Sequence, residues 1–292
     1  MLQAANFRAR RRKLVKKTGK RLIRRLRGFL AGQSLVSNDP VLDPAGFSFV
    51  QPFEDHWQEI RGEVLEILRH KDCVPAFEDV STDQMKIARD RQWRTFILFG
   101  FGSKLQKNCR HAPRTTALLE QVPKLQTAWF SILEPGYHIT AHRGVTKGIL
   151  RCHLGLIVPD RREDCWMRVD DQVCVWQPGK ALVFDDTYEH EVLNDTPQER
   201  VVLLFDFERP MRFWGRLVNR LFIQGLKLTA YYREPKARLK GFEEQFEAAT
   251  RGADRLLESM GEEATPNPPL PRAEERIAQT WRDRRARLDE AG

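Results

Sequence analysis

The sequence contains no apolar run approaching the roughly 20 residues that a bilayer-spanning helix needs. Its basic opening likewise lacks the uninterrupted apolar stretch of a secretory signal, so the expectation is a chain neither secreted nor membrane-spanning that works in the cytoplasm. Cysteine is scarce and unpaired: Cys73, Cys109, Cys152, Cys165 and Cys174 make an odd set of five with no Cys-x-x-Cys spacing. That excludes a disulfide framework and a zinc cage, and it fits a reducing compartment. Acid is missing altogether from residues 1–30, which hold twelve Lys or Arg. Those twelve exceed the whole net charge of +9, so the rest of the chain is slightly acidic.

What is present is enough for a real core, with 41% hydrophobic residues over 292 positions. The opening "FRARRRKLVKKTGKRLIRRLRGFL" spaces Leu22, Ile23, Leu26, Phe29 and Leu30 helically, with Lys and Arg on the other faces. This predicts a basic amphipathic helix over residues 1–31 that meets an anionic membrane through residues 8–31, seating the protein peripherally on the inner face. A solvated basic helix is the alternative; nucleic acid is disfavoured because aromatic stacking platforms are missing around the segment. Residues 32–52, rich in Gly, Ser, Asn, Asp and Pro, read as a linker, so the helix before them is expected to add nothing to a site. The main domain is expected over 53–233, and 234–292 as a charged helical or partly disordered tail interrupted by "TPNPPLPR".

Within the main domain, "EDHWQEIRGEVLEILRH" repeats apolar residues at three and four and predicts an amphipathic helix, with shorter helical patterns at "TTALLEQV" and "RFWGRLVNRLFIQGLKLTAYY". "WRTFILFGFG" predicts a strand. From about 125 to 210 the period switches to two, with turn residues at "EPG", "DDQ", "QPG" and "NDTPQE" between short strands. The fold class is therefore mainly β with flanking helices, a sandwich or jelly roll.

The strand "ILRCHLGLIV" puts Arg151 and His153 on one face and Leu150, Cys152, Leu154 and Leu156 on the other. "ALVFDDTYEHEVLN" runs a strand into a polar turn that presents His190, "ERVVLLFDFE" begins a strand at Arg200, and "AWFSIL" offers Ser131. With His142, the β-region thus gathers imidazoles at strand ends and arginines on strands. Neutral imidazoles suit Fe(II), and arginine forks suit carboxylates. Each of these residues taken singly also has ordinary structural uses, as a hydrogen-bonded scaffold or a surface ion pair.

"HRG", "LRCHLGLIVP", "GKALVFDDTYEHEV" and "RVVLLFDFERP" resemble the aspartyl/asparaginyl β-hydroxylase family of Fe(II)- and 2-oxoglutarate-dependent dioxygenases, and the resemblance covers about residues 53 to 215. The resemblance implies a double-stranded β-helix, a distorted cupin-like jelly roll. It implies His142 and His190 as the iron ligands, Arg200 with Ser131 gripping the distal carboxylate of 2-oxoglutarate, and Arg151 and His153 near the other end of that cosubstrate. O2 is the second cosubstrate. Asp186 matches a position used for substrate contact, or else only stabilises its turn, while His138 is expected as a turn or supporting residue rather than a third ligand. Gly144 stands where most related oxygenases carry an acid. The best expectation for the acceptor is the β-carbon of an aspartyl or asparaginyl residue in a peptide or protein; the alternative is an acyl chain of lipid A at the inner membrane. Thr95 and Ile149 occupy positions where the vertebrate peptide hydroxylases carry Gln and Arg. A non-catalytic jelly-roll binder is the reading from another class.

Overall fold

A computed structural model describes residues 24–80, 90–100, 103–227 and 238–251. In chain order its strands are β1 (Val41–Leu42), β2 (Trp93–Gly100), β3 (Ser103–Lys104), β4 (Leu125–Leu133), β5 (Tyr137–His142), β6 (Ile149–Ile157), β7 (Cys165–Val169), β8 (Gln172–Val175), β9 (Ala181–Phe184), β10 (His190–Asn194) and β11 (Arg200–Glu208). They form a seven-stranded sheet in the order β1-β9-β6-β11-β4-β2-β3 and a four-stranded sheet in the order β5-β10-β7-β8. Every pairing is antiparallel. Two sheets with helices on one side give the jelly roll that the alternating pattern predicts.

The period-two pattern decides which residues face which layer. On β6, Leu150, Cys152, Leu154 and Leu156 join Leu203 and Phe205 of β11 in a core sealed by Phe53, Ile60, Val64 and Ile67 from the helices Gln51–Asp55 and Trp57–Leu68. Phe53 stacks on Phe205 with ring centroids 4.8 Å apart. Truncating Phe205 to Ala would cost about 3–5 kcal/mol through lost burial and the cavity left behind. A second core lies between the two sheets, from Val202, Leu204, Leu133 and Phe184 to Ile139, Met167, Val169 and Val192. The polar residues of interest share this inner layer.

Gly155 lets the layers close at one corner. A Cβ there would lie 2.3 Å from the carbonyl oxygen of Gln177, where the turn before β9 crosses β6.

Residues 32–52 are not the linker that their composition predicts. Val41 and Leu42 add β1 to the edge of the large sheet, Phe47 and Val50 are buried, and Ser34 bridges to Met211. A few apolar side chains at the right places outweigh the turn-forming residues around them. The helical turns at 24–32 are docked as well: Leu30 is fully buried and Gln33 accepts a hydrogen bond from the amide of Arg212. Most of the predicted N-terminal helix, including Leu22 and Ile23, lies outside the described residues, as does most of 234–292. Within the latter, a helix over 238–251 packs Leu239 and Phe246 into the domain.

Candidate active site

Antiparallel register carries four strands' inner-face residues across the large sheet in rows. Thr95, Ser131, Val202 and Gly155 lie side by side on β2, β4, β11 and β6, and Trp129, Leu204, His153 and Leu182 form the next row on β4, β11, β6 and β9. Arg200 begins β11 at the near end, and Asp206 and Arg151 pair at the far end. The small sheet faces these rows with His190, which pairs in register with His142 on β5.

His142 and His190 lie with ring centroids 4.2 Å apart. Each spends its Nδ1 on a backbone carbonyl, His142 on Thr140 at 2.8 Å and His190 on Tyr188 at 3.0 Å. That fixes Nδ1 as the protonated nitrogen and leaves Nε2 with its lone pair, the arrangement in which ligating imidazoles are oriented by a carbonyl behind them. Nε2 of His190 is buried with no hydrogen-bond partner among the described residues. Burial, and after it the neighbouring His142, push His190 down to about 3; burial also lowers His142. Both rings are therefore neutral near pH 7, as metal ligation requires. No group of three or more His, Cys, Asp or Glu able to hold a metal occurs among the described residues.

Gly144 leaves no room for an acidic side chain beside His142. A Cβ at this position would lie 2.1 Å from the carboxyl group of Asp186, whose backbone oxygen accepts the Gly144 amide at 2.6 Å. Asp186 fills the space that an acid at 144 would need. Burial raises its carboxyl to about 7, with Arg151 acting in the opposite direction.

Arg200 is the second half of the site. It is fully buried, has no carboxylate partner among the described residues, and makes only a 3.4 Å contact from an η-nitrogen to Ser131 Oγ. Its guanidinium sits over the Trp176 ring at 4.7 Å. Burial pulls it down to about 10, which still leaves a cation at neutral pH. A buried charge of this kind is costly unless an anion meets it. Ser131 is held ready by Trp93, whose Nε1 donates to its Oγ at 2.9 Å.

Next to this cation, both ring nitrogens of His153 and the hydroxyl of Thr95 are buried without partners among the described residues. Burial, then Arg200, keep His153 well below the ordinary histidine range. So many unsatisfied polar atoms in one layer are the mark of a ligand cradle rather than a finished core.

Of the residues predicted from sequence, the structure thus brings together His142, His190, Arg200, Ser131, His153 and Asp186 in the inner layer. Arg151 is there too, but it is engaged: its Nε donates to Asp206 Oδ1 at 2.7 Å and an η-nitrogen to Oδ2 at 2.9 Å. His138 points the other way, onto the outer face of the small sheet, where its Nε2 meets Glu191 at 2.8 Å. There it is half exposed, paired with Glu191 on the surface. Sequence reasoning missed Asp206 and Trp176 as parts of the cradle and named Thr95 only through the resemblance; period two from Arg200 would have placed Asp206 on the inner face. It also missed Arg27, which reaches from the helical turns at 24–32 to donate to the Gly144 carbonyl at 2.7 Å. The N-terminal segment therefore touches the loop beside His142, contrary to the expectation that it adds nothing there. A wide surface groove of 520 Å³ between Asp43–Glu54 and Val175–Leu182 holds no imidazole.

The chain is similar to known proteins. The family model for aspartyl/asparaginyl beta-hydroxylase matches residues 54–210. The chain is 44% identical over 213 residues to an ornithine lipid ester-linked acyl 2-hydroxylase of Rhizobium tropici, covering 73% of this chain and 76% of that protein. It is 32% identical over 166 residues to the human aspartyl/asparaginyl beta-hydroxylase, covering 55% of this chain but 21% of that protein. Among solved structures, a Cupin_2 domain of an XRE family regulator from Enterobacter cloacae shows a slight likeness, with 14% identity and a TM-score of 0.28 over 40% of this chain and 96% of that one. With a matching family model over more than half its length and two hydroxylases among its relatives, the chain belongs to the aspartyl/asparaginyl β-hydroxylase family and is a hydroxylase.

Proposed function

We propose that the protein is an Fe(II)- and 2-oxoglutarate-dependent hydroxylase whose acceptor is an acyl chain of a membrane lipid. The observation that carries the cofactor half is the pairing of two neutral, carbonyl-oriented imidazoles with a buried arginine that has no anion of its own. His142 and His190 would hold the metal, and Arg200 with Ser131 would take the distal carboxylate of the 2-oxo acid. Bound together, iron, 2-oxoglutarate and O2 supply an oxidant that inserts one oxygen atom into a C–H bond, the other ending in succinate after loss of CO2. The chain's own share is positional. Ser131 and Arg200 fix one end of the cosubstrate, Trp176 shields that end from water, and Arg151 stays locked on Asp206, keeping a cation at the mouth beside Asp186.

For the acceptor, the likeness to the lipid-acting relative is both higher and longer than the likeness to the peptide-acting one. By the resemblance, Thr95 and Ile149 stand where the vertebrate peptide hydroxylases have Gln and Arg, so the peptide grip is altered at those two positions. The peptide reading, an Asp or Asn β-carbon, rests on the family as a whole and is the alternative to be tested in parallel.

The test is incubation of the full chain with Fe(II), 2-oxoglutarate and either detergent-dispersed membrane lipids or aspartyl and asparaginyl peptides, followed by mass spectrometry. A gain of one oxygen on an acyl chain, dependent on 2-oxoglutarate, is expected. Gain on the peptides alone would overturn the lipid assignment, and full turnover without 2-oxoglutarate or iron would overturn the cofactor assignment. His142→Ala and His190→Ala should each abolish turnover and bound iron together, since each removes one of two protein ligands.

A further inference from the structure

The helix Phe213–Lys227 is amphipathic in an unusual sense: both of its faces are apolar. Gly215, Asn219 and Ile223 recur at four and face the domain. Phe213, Leu217 and Leu221 recur at the same spacing on the opposite side, and Trp214 lies beside them. Phe213, Trp214 and Leu221 are each more than 60% exposed, so this second stripe meets solvent. Scattered exposed leucines need no explanation, but a contiguous row of four large apolar side chains on one helix does.

The charges around the stripe are of one sign. Arg212, Arg216 and Arg220 are exposed along its flank, and no Asp or Glu occurs from Met211 to Lys227. The neighbouring segment repeats the pattern, with Phe29 and Leu35 exposed and no acid anywhere from residue 1 to Asn38. The two segments are fastened together and to the site. The amide of Arg212 donates to Gln33, Asn219 Nδ2 donates to the Gly148 carbonyl at 3.0 Å, and Arg27 holds Gly144 and Val145 in the loop that follows His142. Val145, at the tip of that loop, is also exposed.

We propose that the Phe213–Leu221 face, with Phe29 and Leu35, is a docking surface for an anionic lipid bilayer that sets the mouth of the active site against the membrane. Apolar side chains at the acyl boundary with arginines at headgroup level are the arrangement by which a helix lies in an interface. No described helix is long and apolar enough to cross a membrane, which is consistent with lying on one. The surface differs from the basic segment 8–31 expected from sequence, because its apolar half comes from a helix almost two hundred residues further along. The inference adds a seat to the proposed lipid hydroxylation but is read without turnover, so either can fail alone.

The experiment uses the full chain with vesicles of phosphatidylcholine and of phosphatidylcholine with phosphatidylglycerol. Co-sedimentation on the anionic vesicles, weakened by salt, is expected. Arg216→Glu with Arg220→Glu should lower the partition more than tenfold, since each basic residue at an anionic surface contributes roughly fivefold before the reversal is counted. Leu217→Ser with Leu221→Ser should lower it comparably, and both pairs should melt like the wild type because the side chains are exposed. Vesicles with brominated acyl chains locate the contact: their quenching of tryptophan emission should drop in Trp214→Phe. Undiminished binding in both double variants, with unchanged quenching in Trp214→Phe, would assign membrane contact to the basic N-terminal segment and overturn the proposal. Absence of vesicle binding, with self-association that the leucine variants abolish, would give the face to a second copy and overturn it equally.

Discussion

Two arginines among the described residues are fully buried, and they are buried for opposite reasons. Arg209 is surrounded by acceptors: an ion pair with Asp185, the Lys147 carbonyl at 2.9 Å, the Ser37 carbonyl at 2.8 Å and the Ser34 hydroxyl at 3.2 Å. Among the described residues Arg200 has one long hydrogen bond, to Ser131, and its Nε is buried without a partner. The first arginine knits the turn before β10 to the loop before β6 and to the segment at 34–37. The second is left short of anion. Equal burial with unequal satisfaction separates a structural charge from one that awaits a ligand, since a buried polar group without partners is retained only where something else completes it.

Arg209→Met should break the structural side of this comparison with the largest effect on stability. Asp185 would keep Lys147, at 2.8 Å, but lose its forked partner at full burial, so a loss of about 3–5 kcal/mol is expected. Urea denaturation of the apoprotein measures it. Because Asp185 also orients Thr187 through its amide at 3.0 Å, the turn that presents Asp186 and His190 should loosen with it. A change under about 1 kcal/mol would mean that Arg209 is no more structural than a surface residue.

Arg200→Met should do the reverse. Replacing an unpaired buried charge by an apolar side chain of similar volume is expected to leave the apoprotein as stable or raise it by about 1–4 kcal/mol. The same change should weaken 2-oxoglutarate binding by about 2–5 kcal/mol, with iron affinity unaltered. Lysine at 200 should restore binding only in part, because it lacks the planar fork. Anaerobic calorimetry with Fe(II) present reads the affinity; unchanged binding in Arg200→Met would remove Arg200 from the cosubstrate site.

This contrast also marks how far the sequence can be read. The helix Trp57–Leu68, strand β2 and the strands from 125 to 210 follow from periods of 3.6 and 2, because each buries one face against one layer. The inner-layer His142, His153, His190, Arg200 and Ser131 were legible by alternation combined with the family resemblance. Whether an arginine is satisfied was not legible, because Asp185, Lys147 and Ser34 reach Arg209 from three distant parts of the chain. Asp206 capturing Arg151 depends on the register between β6 and β11, which no single strand records. The docking of residues 32–52 was hidden for a different reason: four apolar side chains among turn-forming residues make no periodic signal, yet they fill an edge that the large sheet leaves open.

Gly144→Asp sharpens the comparison at the end proposed to hold iron. An added carboxylate would complete a common iron triad in other oxygenases, but here its Cβ would sit against the Asp186 carboxyl. Overpacking should cost about 1–3 kcal/mol, and bound iron should fall rather than rise. Pairing Gly144→Asp with Asp186→Gly should recover part of the stability. Tighter iron binding in the single variant would show that Asp186 yields the space easily, against the packing described above.

The smallest expected effect concerns His153, which shares the unsatisfied layer with Arg200. Burial holds this imidazole well below its ordinary value of 6.5 in the folded chain, whereas unfolding returns it to water. A depressed folded pKa means that the unfolded state binds the extra proton first, so the contribution to stability is complete above pH 6.5 and is lost as the pH falls below it. One such group adds at most about 1.4 kcal/mol per pH unit to the slope. His190 and His142 are shifted in the same direction and contribute their own share, so His153→Leu should flatten the decline of apoprotein stability between about pH 6 and 5 without abolishing it. The Arg209 network contains no imidazole and should leave that slope to the inner layer. Denaturation midpoints for wild type and His153→Leu over this range make the measurement. Parallel curves would mean that His153 already has a partner in solution, and that the cradle is less open than its buried nitrogens indicate.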